Sequence, residues 1–367
     1  MTDPGDEPAP SLHPPRRRRH AADEPVIDAA IAVVERAQEA MAAQPTLPLL
    51  DEPSAPYRLR PVPGTGIAMH PMLLSAGRFG TAVPAAEAHR ILDAHAEIGG
   101  TAVEVSDSRS GRQEETVGAW LATRRRRERT AVFARVGAPA EHPGSSAAAL
   151  AAAVDRLRTR LRTDRIDVLV LAAHDRATSL EETLVTLGTL LERGRIGAVA
   201  AGSHSAVRLI EARVAAGQRG LPRFVAVSPV YSVLERTEYE SRLAPIVGAQ
   251  ELACFPRSPL AGGFLTGSSA TRTARKRLKD LDPERADRLA VHASRRGLKV
   301  VEAVAAIARE RGVPTSAVAL AWLLARPYVV APVVGPSAAG EVPALAAAAA
   351  LRLTRAETAA LDRASAP

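Results

Sequence analysis

The sequence predicts an α/β protein built as a (β/α)8 TIM barrel carried behind an N-terminal appendage. After Tyr57, short β-branched runs alternate with Ala/Leu/Arg-rich segments of helical period for about 300 residues, the signature of a parallel sheet with covering helices. Eight such runs occur, the number that closes a barrel. The main rival, an open doubly wound sheet, lacks its usual mark. No glycine-rich turn follows the first strand, and no GxxxxGK[ST] loop is present.

The appendage comes first in the chain. Residues 1–22 are rich in Pro, acid and then Arg, ending in Arg16-Arg17-Arg18-Arg19, and nothing there buries a core. The segment reads as a disordered tail, its arginines either solvated or in contact with an anionic surface. Over 23–44, Pro25 opens a stretch in which Val26, Ile27, Ala30, Ile31, Val33, Val34 and Ala37 recur at helical spacing. One amphipathic helix is expected there. Pro45, Pro48, Pro53 and Pro56 make 45–56 an extended linker, and the barrel occupies 57–363.

Within the barrel, strands are expected at Met72 to Ala76, Ala102 to Val105, Thr130 to Val136, Ile166 to Leu171, Ile196 to Ala201, Phe224 to Val227, Leu252 to Phe255 and Val329 to Val334. Helical segments fall between them, at 84–98, 112–126, 145–162, 178–194, 204–217, 238–248 and 296–325, the last divided at Gly312-Val313-Pro314. Each crossover has the length of a βα unit. Chemistry in such barrels sits at the C-terminal strand ends. The candidates are therefore Glu104 to Arg109, Arg135 to Ala138, Ala172 to Asp175, Gly202 to His204, Ser228 to Tyr231, Arg257 to Gly263 and Gly335 to Ser337.

Composition narrows the function classes. The formal charge is +8, but of 48 basic residues only three are lysines (Lys276, Lys279, Lys299), and asparagine is absent. That skew is a chain-wide substitution bias, with Arg standing where other chains carry Lys. Aromatic residues are only 3%, which leaves no stacking platform, and no nucleic-acid partner is expected. No window approaches ~20 uninterrupted apolar residues, so no membrane partner is expected either. The N-terminus lacks a basic start followed by an apolar stretch, which points to the cytoplasm. Cys254, the single cysteine, lies in Leu252-Ala253-Cys254-Phe255 and reads as a small buried hydrophobe. The histidines are scattered, with no short-spaced pair, so no metal is expected.

Several stretches recur in a specific order. Tyr57-Arg58 with Gly64-Thr65-Gly66-Ile67 looks like an opening hairpin, and Gly99-Gly100-Thr101 is followed by Ser110-Gly111-Arg112-Gln113-Glu114-Glu115 and Gly118. Arg162, Asp164, Arg165, Ile166 and Asp167 come next, then Gly194-Arg195-Ile196, Val230-Tyr231-Ser232-Val233-Leu234-Glu235-Arg236, and Ser258-Pro259-Leu260-Ala261-Gly262-Gly263-Phe264-Leu265-Thr266-Gly267. In these motifs the chain resembles the aldo/keto reductase family from Tyr57 to about Asp362. The resemblance implies reduction of a small-molecule carbonyl substrate with NADP(H) or NAD(H) laid across the barrel mouth. In the family a tyrosine protonates the carbonyl oxygen, assisted by a lysine paired with an aspartate, and a histidine orients the carbonyl.

Laid on that pattern without gaps, the catalytic positions carry other residues. Glu104 stands for the aspartate, Arg109 for the tyrosine, Arg135 for the lysine and Ala172 for the histidine, with His174 two residues on as a candidate replacement. A guanidinium stays charged in a protein, so Arg109 polarises an oxygen but cannot protonate it. For the cofactor, the resemblance implies Ser203 with Gly202 or His204 at the carboxamide, Ser228 in place of a glutamine, Arg257 beside the nicotinamide, and Ser258, Leu260 and Gly262 along the following turn. Gly335 and Ser337 fall on the phosphate loop, where Ser337 replaces a basic residue and the adenine-holding asparagine is missing. The charged segment Arg272 to Arg288 resembles the family's cofactor-covering loop.

Two readings follow. One is a reductase that takes its proton from water or His174, with Arg109 and Arg135 stabilising the oxyanion. The other is a non-catalytic barrel holding a nucleotide or other anionic ligand between those arginines in a regulatory role. A third, hydrolysis or isomerisation by Glu104 with Glu114 or Glu115, rests on acidic residues that also suit a helix start.

Overall fold

The computed structural model describes residues 57–138, 141–266, 292 and 294–366. The tail, helix and linker read over 1–56 and the charged segment Arg272 to Arg288 lie outside the described residues.

A short antiparallel hairpin, β1 (Arg60–Pro61) and β2 (Ala68–Met69), opens the described chain, with Arg60 opposite Met69. Thr65 Oγ1 stitches its turn, donating to the Val62 carbonyl and accepting from the Ile67 amide. The barrel strands follow as β3 (Leu73–Ser75), β4 (Ala102–Ser106), β5 (Ala131–Val136), β6 (Ile166–Ala173), β7 (Ile196–Ser203), β8 (Ala226–Val227), β9 (Ala253–Cys254) and β10 (Val333–Val334). Each pairs in parallel with its neighbour, in chain order, and β10 returns to β3. Between β9 and β10 the ring is completed where Cys254 bridges Val329, its amide bonded to the Tyr328 carbonyl and its carbonyl to the Val330 amide. All eight strands read from the sequence are present. The last is shortened because Pro332 has no N–H for the ladder, although its carbonyl still accepts from Leu73.

Helices alternate with these strands: α1 (Ala85–Glu97), α2 (Arg112–Thr123), α3 (Ala147–Leu161), α4 (Leu180–Glu192), α5 (Ala206–Arg219), α6 (Ala244–Ala249), α7 (Arg295–Arg311) and α8 (Thr315–Leu324). Ser146, Ser179, Ser205 and Ser294 cap α3, α4, α5 and α7, each side chain accepting from the amide three residues on. Gly312, at φ +63°, stops α7 as the sequence predicts. After β10 come α9 (Val342–Ala346) and α10 (Arg355–Ser365). Neither is among the elements read from the sequence, although Thr354 and Glu357 form the capping box that starts α10.

Strand alternation sorts the apolar residues into two cores. One set fills the barrel interior, including Met69, Leu73, Ala102, Phe133, Val168, Val170, Ala200, Phe255 and Ala331. The hairpin contributes Val62 and Met69 to it and so plugs the end away from the mouth. The intervening residues, such as Val103, Val132, Leu169 and Val199, pack outward against the helices. Gly118 marks a close approach between helices, since a Cβ there would lie 2.4 Å from the Arg160 carbonyl oxygen on α3.

The motif around Arg236 holds the C-terminal helix. Arg236 bonds the Ser365 hydroxyl, Trp322 Nε1 donates to Asp362 Oδ1 at 2.9 Å, and Arg326 reaches the same oxygen at 2.7 Å. Both guanidiniums also stand over the Trp322 ring, at 5.0 and 3.9 Å.

At the barrel floor His70 stacks edge-on with Tyr57 and faces His95 at 6.4 Å between centroids. Burial pushes both imidazoles down to about 4, and the charge of His70 adds to the effect on His95. The unfolded chain therefore takes up protons first as pH falls below about 6.5, and native stability drains between there and pH 4. Denaturant titrations at pH 7, 6 and 5 are expected to show that loss. His95→Phe lowers the slope by up to about 1.4 kcal/mol per pH unit in mid-window. Gly118→Ala is expected to cost about 1–3 kcal/mol in the same assay, because the clash is with backbone.

Candidate active site at the barrel mouth

Because Ala102 and Phe133 point into the barrel, Glu104 on β4 and Arg135 on β5, two residues further along, point in as well. They meet there. Arg135 Nη2 donates to Glu104 Oε1 at 3.0 Å and to Ser228 Oγ at 2.9 Å, and both charged residues are nearly sealed, at 5% and 6% exposure. Arg135 Nη1 is buried and makes no hydrogen bond. It lies against Gly202, where a Cβ would come within 2.7 Å of it, so Gly202 leaves the room that the guanidinium uses.

Arg257, following β9, adds a second cation. Burial lowers its pKa, the nearby Arg135 charge lowers it further, and Glu104 opposes both. The mouth therefore holds two guanidiniums against one carboxylate in a poorly solvated space.

The remaining candidate catalytic residues are not part of this cluster. Arg109 is exposed at the rim, where its amide bonds Glu141 Oε2 at 2.8 Å and its Nε bonds the Glu141 carbonyl at 2.7 Å. Ala172 is buried at the end of β6. His174 Nδ1 accepts from Arg208 Nε on α5, and burial followed by that guanidinium's charge lowers its pKa. His204 is buried against Phe224, pushed down to about 4 by burial, and thus neutral. Ser203 is exposed at the end of β7. Glu114 is engaged elsewhere. It is fully buried between Arg160 and the Ser108 hydroxyl and amide, which gives it a structural role and separates it from Glu104.

Beside the mouth lies a cavity of about 620 Å³. Five of the residues expected along a cofactor line it: Ser258, Leu260, Gly262, Gly335 and Ser337. Ser203, His204, Ser228 and Arg257 do not; Ser228 and Arg257 stand with the ion pair. The turn that forms one wall is unusual in its backbone. Ser258, Ala261, Gly262 and Gly263 all adopt positive φ, between +49° and +99°, and strain at the two non-glycine positions is a mark of functional loops. Two wall residues, Arg78 and Glu341, escape the sequence reading. Arg78 follows the first and weakest barrel strand, and the strand-end rule extended to that strand finds it. Its guanidinium donates to the Gly335 carbonyl. Glu341 Oε2 accepts the Ser337 amide at 3.1 Å.

The sequence profile described as the Aldo/keto reductase family matches residues 72–366, from the first barrel strand to the C-terminal helix. The chain belongs to the aldo/keto reductase family. It is similar to the uncharacterized oxidoreductase YrpG of Bacillus subtilis, 27% identical over 291 residues that cover 74% of this chain and 85% of that protein. It is also similar to a putative aryl-alcohol dehydrogenase of Saccharomyces cerevisiae, 24% identical over 78% of this chain and 81% of the relative. A third relative is the norsolorinic acid reductase of Emericella nidulans, 25% identical over 74% and 72%.

This aldo/keto reductase has four tyrosines, and although the Tyr231 amide bonds the Arg257 carbonyl at 3.2 Å, the ring of each packs outside the mouth cluster. Tyr57 packs on His70 at the floor, Tyr231 donates to Glu240 at 2.8 Å, Tyr239 packs on Tyr231, and Tyr328 lies against Gly248. Burial, then the Glu240 charge, raises the Tyr231 phenol far above its ordinary range. Among the described residues no three His, Cys, Asp or Glu side chains gather as a metal site, and no helix is long and apolar enough to cross a membrane.

The Glu104–Arg135 pair makes a sharp prediction. Glu104→Leu strands a buried guanidinium and is expected to cost about 3–5 kcal/mol. Adding Arg135→Met, which removes the stranded charge, recovers most of that loss in chemical denaturation, and a simple sum of the two single costs would contradict the pairing.

Proposed function

We propose that this aldo/keto reductase is a dinucleotide-binding barrel whose mouth receives an anionic small molecule, and that it does not reduce carbonyls through the family's phenol proton transfer. The observation that carries the reading is the mouth itself: Arg135, Arg257, Glu104 and Ser228 converge there while all four tyrosines lie elsewhere.

The cavity walls fit a dinucleotide. A volume of about 620 Å³ lies in the range of small-molecule clefts, and Ser258, Leu260, Gly262 and Gly335 offer a wall of backbone and small side chains close to the mouth. Reduced nicotinamide, when bound, supplies hydride. The protein must then supply a proton near neutral pH from a group about 3 Å from the developing alkoxide. Among the described mouth residues none is suited. The guanidiniums keep their protons, Glu104 is engaged by Arg135 at 3.0 Å, and His204 is neutral in a buried pocket. Two cations facing one carboxylate instead favour an anion. A planar carboxylate on the ligand offers a guanidinium the paired acceptors it bonds best.

This reading predicts binding without turnover. Calorimetric titration is expected to detect a reduced nicotinamide dinucleotide, while absorbance near 340 nm stays constant with a panel of aldehydes and ketones at pH 7. Steady carbonyl reduction by the wild-type protein would overturn the non-catalytic part of the reading. Arg109→Tyr with Ala172→His returns a phenol and an imidazole to the strand ends, and gain of reduction in that variant supports it.

A further inference from the structure

We infer that the barrel floor is a docking surface for the acidic stripe of residues 23–44 of this same chain, held there by arginines of three neighbouring loops. This surface lies at the end of the barrel away from the mouth and is independent of the dinucleotide reading.

In a parallel barrel every loop that enters a strand opens on the same end. Arg125, Arg126 and Arg129 precede β5, Arg162 precedes β6, and Arg193 and Arg195 precede β7, so six guanidiniums share the floor. Five of them are exposed and Arg126 is half-buried. Among the described residues none of the six has an ion pair or a side-chain hydrogen bond. Arg124, Arg127 and Arg165, in the same loops, are by contrast paired with Asp93, Asp167 and Glu128. Besides Glu128, the carboxylates at these loops are Asp164, 4.0 Å from Arg158, and Glu192. The floor therefore carries a clear excess of positive charge. Cations do suit the negative ends of the helices that lead into these loops, but one per helix serves that purpose, and the loop before β5 leaves three unpaired.

The chain itself supplies the complement. Residues 23–52 hold seven carboxylates against one basic residue, Arg36. Glu24, Asp28, Glu35 and Glu39 recur at intervals of four, seven and four, which sets them in one stripe of the helix expected there, beside the apolar face of Ile27, Ile31 and Val34. Like charges four residues apart, as in Glu24 with Asp28 and Glu35 with Glu39, destabilise an isolated helix, so the stripe calls for cations from elsewhere in the fold. The connection leads to the right end of the barrel. Residues 45–56 join that segment to Tyr57, which packs on His70 at the floor, and half-exposed Leu59 beside it offers apolar contact. A proline-rich linker of this length reaches about 37 Å at roughly 3.1 Å per residue. The starts of β5 to β7 span only about 10 Å at strand spacing. A short tether also holds the segment at a local concentration on the order of mM, an advantage that no separate polyanion shares.

The test is amide hydrogen exchange of the full chain, read over residues 24–39 by mass spectrometry. In the wild type these amides are expected to exchange at least tenfold more slowly than an unstructured chain, at any protein concentration. That protection is lost when salt rises to about 1 M, where the screening length falls to about 3 Å. Charge reversal at the floor, with Arg125→Glu, Arg126→Glu, Arg193→Glu and Arg195→Glu together, abolishes it. So does reversal of the stripe, with Glu24→Lys, Asp28→Lys, Glu35→Lys and Glu39→Lys, and joining the two sets restores at least part of the protection. The stripe set leaves the barrel sequence untouched, so its result stands even where the floor set fails to fold. An unprotected segment in the wild type, protection that survives the stripe set, or protection that grows with protein concentration, as a second copy would give, overturns docking within the chain. A heparin oligosaccharide held by the floor arginines without displacing the segment overturns it as well.

Discussion

A charge inside a closed barrel has to be answered by another, because the ring of strands excludes the water that would otherwise solvate it. In this protein the requirement is met by Glu104 and Arg135 on adjacent strands, at 3.0 Å, with Ser228 taking a further N–H of Arg135. Much of the mouth follows from that contact. Gly202 stays without a side chain to clear the guanidinium, Ala172 is small beside it, and Arg257 is left as an excess cation at the rim of the pair. A buried pair of this kind need not add stability over apolar neighbours. Here it leaves one buried N–H of Arg135 without a partner.

The site divides into two regions of opposite character. The mouth is cationic and poor in proton donors, whereas the cavity beside it is built from a strained turn, small side chains and the charged residues Arg78 and Glu341. That division separates the part of the fold that would meet a ligand's reactive end from the part that would grip its carrier. The turn at Ser258–Gly263 and the loop at Gly335 both lie within residues 72–366, which the family profile matches. The relatives at 24–27% identity bear oxidoreductase, dehydrogenase and reductase names.

Much of the architecture was legible because its signals are local. Strand and helix runs of fixed period marked all eight strands and the helices from α1 to α8, and Gly312 marked the break between α7 and α8. The C-terminal helix escaped despite the capping box of Thr354 and Glu357, because a short, mostly polar helix shows little periodicity before its partners are known. Those partners, Arg236, Trp322 and Arg326, lie 36 to 129 residues away in sequence. In the site, the resemblance set Glu104 and Arg135 at a paired aspartate and lysine, and the two side chains do meet. The outward setting of Arg109 was not, because Glu141, 32 residues on, holds it.

By itself the sequence determined the order of the eight strands and of the helices from α1 to α8, and the break at Gly312. These follow from chemistry between near neighbours, where periodicity and residue type act directly. Only the tertiary structure decided which inward residues meet, that Arg109 leaves the mouth, that Glu114 belongs to Arg160, and that Arg78 and Glu341 share a cavity with Ser258 and Ser337. Those contacts arise where ring closure and loop paths bring distant segments together, and a partner's identity across such distances is set by space and charge that no local pattern encodes.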